Sequence, residues 1–344
     1  YDNAFDGIRL KYSPLNGMYL KALVGRQRLF FDKGEGIVRA IDGELSLNES
    51  FTGLTESKTQ ILIGASFVSK YQKDLNPAYN LPENVASWAS RMSVNHGRWN
   101  FNSEYVHKYN DPSAVNNYIY KTGNALLMSG NYSKRGFGFS LAAKRIDNMD
   151  YRSERDQNLQ NLMINYLPAL TKQHGYSLAT IYPYGTITTG EMGLQAELNY
   201  KVKKGTKLGG KYGMGVLVNF SNVYAIDKQQ INASTPIDST GTLGFTSDLF
   251  KVGDDKYFQE FSFELSKKVN KKLKLIGSYI NTEYNGAFIV GYSYHGMIYS
   301  DIIVLETQYK IKSKHSIRTE IQHLRTEQHE GNWVMGLAEY TISP

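Results

Sequence analysis

Residues 191–202 alternate with period two between two chemistries. The even positions Met192, Leu194, Ala196, Leu198, Tyr200 and Val202 are apolar. The odd positions Glu191, Gly193, Gln195, Glu197, Asn199 and Lys201 are polar or glycine. Successive strand side chains point to opposite faces, so this segment is a strand between an apolar and a polar medium. The next run behaves likewise. Leu208, Tyr212, Met214, Val216, Val218 and Phe220 oppose Gly209, Lys211, Gly213, Gly215 and Asn219, with 203–207 as a compact turn between. The pattern recurs at 59–70, 99–109, 257–265 and 301–311. About seventeen such segments are present, many of roughly ten to twelve residues. A tilted membrane strand needs about 9–11 residues, whereas globular strands average about 5–6.

The connections alternate in length. Short ones fall at 13–17, 95–98, 133–136, 203–207, 267–272 and 312–315, and long ones at 26–36, 71–84, 110–122, 147–158, 221–256 and 281–300. Every second loop then lies at the same end, as in outer-membrane barrels with short periplasmic turns and long extracellular loops. The expected fold is all-β: an antiparallel up-and-down transmembrane β-barrel of about 16–18 or more strands. Residues 1–344 read as one domain. Single-chain bacterial barrels have even strand numbers, so an odd count leads us to expect further strands at both ends, or a miscounted one at 159–184, where alternation is poorest. The chain holds 26 Tyr, 15 Phe and 3 Trp. Tyr12, Tyr71, Trp99, Tyr109, Tyr200, Phe220, Tyr257 and Tyr309 stand near strand ends, where rings are expected at the lipid headgroups. A β-sandwich also alternates, but strand length and loop alternation favour the barrel. No fixed repeat marks a propeller or solenoid.

The absence of Cys excludes disulfides, thiolate zinc sites and Cys nucleophiles. No window of eighteen apolar residues marks a transmembrane helix. Gly205-Thr206-Lys207-Leu208-Gly209-Gly210-Lys211-Tyr212 has the glycine and lysine spacing of a phosphate loop. Tyr212 stands where Ser or Thr is required, however, and a strand follows where a helix is needed. No G-x-S-x-G or H-E-x-x-H occurs. His315, His323 and His329 fall at a turn, on the lipid-side parity and in the opposite loop, so they do not converge on a metal. No catalytic residue, cofactor or metal is expected. The net charge of +7 suits anionic outer-membrane lipid and lipopolysaccharide, and no dense basic block points to nucleic acid.

With the apolar face toward lipid, the candidate lumen-lining residues are Lys21, Asp42, Glu44, Arg91, Glu104, Lys144, Glu197, Lys201, Lys211, Glu260, Glu264, Lys274, Arg318 and Glu320. Both signs are present, so no strong ion selectivity is expected. The lumen is either a weakly selective aqueous channel or a space laced by ion pairs and plugged. Residues 221–256 have the length of a lid, binding loop or mobile segment. Tyr284, Phe288, Tyr292, Tyr294 and Tyr299 make 281–300 aromatic, which fits either a protein- or glycan-binding patch or a hairpin extending beyond the membrane.

Several phrases carry a resemblance: Tyr1-Asp2-Asn3-Ala4-Phe5-Asp6-Gly7-Ile8-Arg9, Gly25-Arg26-Gln27-Arg28, Gly36-Ile37-Val38-Arg39 with Asp42-Gly43-Glu44, and Glu339-Tyr340-Thr341-Ile342-Ser343-Pro344. The sequence resembles a family of uncharacterised Bacteroidota outer-membrane proteins classed as a domain of unknown function. The resemblance implies a Gram-negative outer-membrane barrel, with members longer at both ends, and implies no activity. Two functions are expected. One is a non-enzymatic subunit of an envelope assembly that binds a protein or glycan through its extracellular loops. The other is a porin-like diffusion channel for small hydrophilic solutes.

Overall fold

A computed structural model describes residues 4–157, 159–291, 296–329 and 331–342. They form one antiparallel sheet of fifteen strands in chain order. The strands are β1 (Phe5–Tyr12), β2 (Met18–Leu29), β3 (Asp32–Ser46), β4 (Thr59–Tyr71), β5 (Asn84–His96), β6 (Trp99–Lys108), β7 (Gly123–Lys134), β8 (Phe137–Asp147), β9 (Gly190–Val202), β10 (Met214–Ile226), β11 (Val252–Lys268), β12 (Leu273–Asn285), β13 (Met297–Lys312), β14 (His315–Arg325) and β15 (Trp333–Ile342). Helix is confined to single turns, among them α1 (Leu47–Ser50) and α2 (Gly286–Ile289). Among the described residues, none is long and apolar enough to cross a membrane.

Fifteen strands replace the seventeen counted from alternation. Residues 159–184 hold no strand, because that stretch lies within one long connection, 148–189. Residues 26–36 are not a long loop either. β2 and β3 run on until they meet at Phe30 and Phe31, with Phe30 taking the turn at φ 54°. The aromatic stretch 281–300 is strand at both ends: β12 continues to Asn285 and β13 begins at Met297.

Alternation sorts the two faces. On β13 the even residues Ile298, Ile302, Val304 and Glu306 are buried, while Ile303 and Leu305 are half or more exposed. The exposed set continues around the sheet through Ile41, Phe67, Trp88, Leu141, Leu194 and Phe261. This is an apolar outer belt that none of the described residues covers. Tyr299 and Tyr309 stand on this face ten residues apart. At ~3.3 Å per residue and a tilt near 40°, they bracket roughly 25 Å, the height of a membrane barrel's apolar band. Rings also pair across strands near the short turns, Trp99 with Tyr132 at 4.6 Å and Tyr132 with Phe137 at 6.0 Å. Tyr257 departs from the expected girdle. It is 2% exposed and packs in the core. Leu305→Arg, near the middle of the belt, is expected to destabilise the folded protein in lipid by about 2–4 kcal/mol, and Tyr309→Arg at its rim by about 0–1 kcal/mol. Urea unfolding in lipid vesicles checks both, and equal costs would contradict a lipid-facing belt.

The candidate functional site: an interior filled from one end

One segment contacts strands on every side of the sheet. Residues 148–189 leave β8 at the long-loop end and return to β9, whose pairing with β8 runs up to Asp147–Gly190. Gln27 on β2 donates to the Met163 carbonyl at 2.9 Å. The Tyr151 hydroxyl donates to the Val85 carbonyl on β5 at 2.9 Å. Lys108 on β6 donates to the Asp150 carbonyl at 2.6 Å. His174 meets Glu260 on β11 at 3.0 Å, and Gln322 on β14 accepts from the Leu178 amide at 2.8 Å. A single segment can touch β2 and β14 of an up-and-down sheet only if the sheet curls around it. The segment is a plug.

Its upper part is an ionic collar. Asp147, Asn148, Asp150, Arg152 and Arg155 form a charge-dense stretch that reads as an exposed loop, yet each is at most 4% exposed. Buried charges persist only when paired. Arg152 holds Asp150 at 3.0 Å. Asp111, from the β6–β7 connection, takes Lys70 of β4 at 2.5 Å and Arg155 of the plug at 3.8 Å. Burial pushes the Tyr151 phenol well above its usual range, so it stays a hydrogen-bond donor. Gly36 and Gly123 let the plug backbone approach the wall. A Cβ at either would strike a plug carbonyl, that of Ser153 or Asn148.

The lower part leans on the β9–β14 wall. Lys172 pairs with Glu264 at 3.8 Å, and the Tyr176 hydroxyl donates to Glu306 at 3.4 Å. Burial beside Glu306 pushes the Tyr176 phenol up to about 12. Leu178, Tyr182 and Tyr184 pack in one apolar cluster with Val223, Phe258, Ile280, Ile302 and Leu324. The Tyr184 ring stacks on Phe258 at 5.0 Å, and its hydroxyl donates to Glu191 at 2.5 Å.

The charged residues expected to line the interior fall into groups. Lys21, Asp42, Glu44 and Arg91 form one network, with Arg91–Asp42 at 2.5 Å and Lys21–Glu44 at 3.2 Å. Lys144 pairs with Glu191 at 2.6 Å, both fully buried. Glu260 and Glu264 anchor the plug. Arg318 bridges Glu306, Glu320 and Glu339. Glu197 accepts from Asn199 at 2.7 Å. Glu104 sits on the plug side of β6 between Arg91 and Leu127 of the neighbouring strands. Lys201 and Lys274 lie near the short-turn ends of β9 and β12. Lys211 is not on a strand. It lies in the β9–β10 turn beside the Tyr212 ring at 5.9 Å, because β10 begins only at Met214.

The aromatic residues proposed for loop binding do not form one patch. Tyr284 is 3% exposed and points into the core. Phe288 is exposed in α2, its ring 4.5 Å from that of Tyr257. Tyr299 projects from the outer face of β13, and Tyr292 and Tyr294 lie outside the described residues. The connection inside 221–256 shortens to 227–251 and is ordered as a cap. Gln229 bridges Thr246, Phe245 packs with Ile119 and Ile226, and Arg145 reaches the Ser247 hydroxyl at 2.8 Å. Half-buried Asp227 is held below the usual carboxylate range by its bond to Lys251. The plug contacts themselves, among them Asp111, Lys172, His174 and Tyr176, escaped sequence reading. One signal was available: 298–304 carries apolar residues on both faces, as a strand covered on both sides must.

These features define a class, an antiparallel membrane-type β-sheet curled around a plug from its own chain. Within that class the chain belongs to a family of unknown function (DUF6029), whose profile matches residues 1–344. No curated protein matches it. Among solved structures it is similar to CdiB from Acinetobacter baumannii, at 11% identity over 99% of this chain and 57% of that one, with a TM-score of 0.35. It is similar to the ferric-catecholate import receptor Fiu from E. coli K12, at 7% identity over 98% and 62%, with a TM-score of 0.37. It is also similar to Wzi from E. coli, titled a carbohydrate-binding β-barrel involved in group 1 capsule assembly, at 8% identity over 98% and 82%, with a TM-score of 0.34. The chain thus spans less than two thirds of the length of the first two.

Proposed function

We propose that this is a non-enzymatic outer-membrane barrel with a closed lumen, which acts through its extracellular cap as a subunit of an envelope assembly. The carrying observation is that residues 148–189 fill the interior from the long-loop end and bond to strands from β2 to β14. A lumen so occupied does not pass hydrophilic solutes, which weighs against the porin-like reading. What remains for interaction is the upper surface, built from the plug and from connections 109–122 and 227–251. These two are joined by hydrogen bonds from the Tyr120 amide to the Thr242 carbonyl at 2.7 Å and from the Gly241 amide to the Tyr118 carbonyl at 3.2 Å. An ordered surface of this kind suits a protein or glycan partner. The apolar belt supports residence in an outer membrane among lipid and lipopolysaccharide, and the resemblance points to a Bacteroidota source.

Full-length protein in planar bilayers is expected to show no steady conductance. A steady ohmic pore from heat-modifiable, folded protein would favour the channel instead. Cross-linking in native membranes followed by mild extraction is expected to retain a stoichiometric partner, and recovery of the barrel alone would count against the assembly role.

A further inference from the structure

Below the plug, toward the short turns, a cavity of 420 Å³ opens between the plug and the wall of β3–β8. Its ceiling is Pro168 and Leu170 of the plug, and Leu62, Leu127 and Ala142 continue the apolar surface down the wall. Amides and hydroxyls edge it, including Asn102, Ser129 and Ser93. An apolar recess of this size is the usual form of a small-molecule site and is out of character for an aqueous barrel lining.

The charges beside the recess are unequal. Lys144 has spent all three N–H donors, on Glu191 at 2.6 Å, the Pro168 carbonyl at 2.6 Å and Thr186 at 2.7 Å. Arg91 also lines the cavity, but its guanidinium donates to Ser66, Asp42 and Glu44. Lys21 closes the same network by bonding both Asp42 and Glu44. Glu104 remains, and it makes no hydrogen bond or ion pair among the described residues. Of the two carboxylates that line the cavity, Glu44 is taken by Arg91 and Lys21, and Glu104 alone is left without a partner among the described residues, beside an apolar ceiling.

We propose that this cavity binds a small organic ammonium ion entering from the short-turn end. Its N–H groups donate to the Glu104 carboxylate, and its apolar body lies against Leu127, Ala142, Pro168 and Leu170. The site is separate from the extracellular cap and goes beyond the role proposed for it.

Full-length protein in lipid nanodiscs, titrated with benzylammonium, benzyl alcohol and benzoate and read by ligand-observed NMR, tests this. Benzylammonium is expected to bind and benzoate not. Glu104→Gln keeps the shape and removes the charge, and is expected to weaken benzylammonium about tenfold or more, the usual effect of losing a charged hydrogen-bond partner. Ala142→Leu fills the recess and is expected to weaken it similarly. Glu197→Gln, on the same face outside the cavity, should leave binding unchanged. Equal binding of benzoate, an unaltered affinity in Glu104→Gln, or an equal loss in Glu197→Gln would overturn the proposal. If either cavity variant fails to fold, the wild-type preference for ammonium over carboxylate decides the matter.

Discussion

Replacing residues 149–188 with a short Gly-Ser linker is expected to turn a non-conducting barrel into a steadily open pore, with bilayer conductance at least about tenfold above the wild-type leak. The sheet does not need the plug for its strand pairing. β8 and β9 pair without interruption up to Asp147–Gly190, so a linker of hairpin length spans the gap. The plug supplies the occlusion, because the Tyr151, Lys172, His174, Tyr176 and Leu178 contacts across the interior all belong to it. Its removal wets an apolar patch including Phe258, Ile280, Ile302 and Leu324, so some stability is lost as well. Heat-modifiable migration would establish that the variant is folded before conductance is read. A folded variant that stays closed would show that the 227–251 cap or the wall itself seals the lumen, and the plug reading would fall.

The wall was legible in the sequence and the plug was not, and the reason is physical. A lipid-facing strand is specified locally, since each second residue must be apolar whatever lies elsewhere. The run from Glu191 to Val202 states this in twelve residues. The short–long rhythm of connections likewise located the end from which the plug descends. The plug obeys no local period. Its backbone is held by partners far away in sequence, with Met163 bonded to Gln27 and Leu178 to Gln322. Without alternation, 159–184 read as a poor strand rather than as something else. Charge was misleading in the same way. The stretch Asp147 to Arg155 looks solvated, because the counter-charges that bury it come from Lys70, Lys108 and Asp111 on other elements. Parity could not say what faced the charged residues of the polar face. Glu260 and Glu264 look like pore lining until His174 and Lys172 are seen to occupy them.

Asp111→Ala is expected to loosen the plug from the wall, lowering the free energy of local opening at 148–165 by about 3–5 kcal/mol. Asp111 is the shared anion of three elements. It comes from a connection, pairs with Lys70 of the wall at 2.5 Å and faces Arg155 of the plug at 3.8 Å. All three side chains are at most 2% exposed, so water does not replace the missing carboxylate. Removing it leaves two buried cations close together, and the plug relieves them by moving out. Hydrogen exchange read by mass spectrometry on full-length protein in nanodiscs measures the change, with faster exchange confined to 148–165 and no comparable change in β9–β14. Adding Lys70→Met removes one of the stranded cations and should recover part of the loss, which a purely steric effect of the alanine would not do. Exchange within about 0.5 kcal/mol of wild type would mean that the collar is hydrated and that its ion pairs do not hold the plug. The distinction matters for how the lumen stays shut. A dry collar makes closure a property of a few buried charges at the extracellular end, within reach of whatever binds the cap. A wet one would leave closure to the apolar contacts of Leu178, Tyr182 and Tyr184 deeper in the barrel.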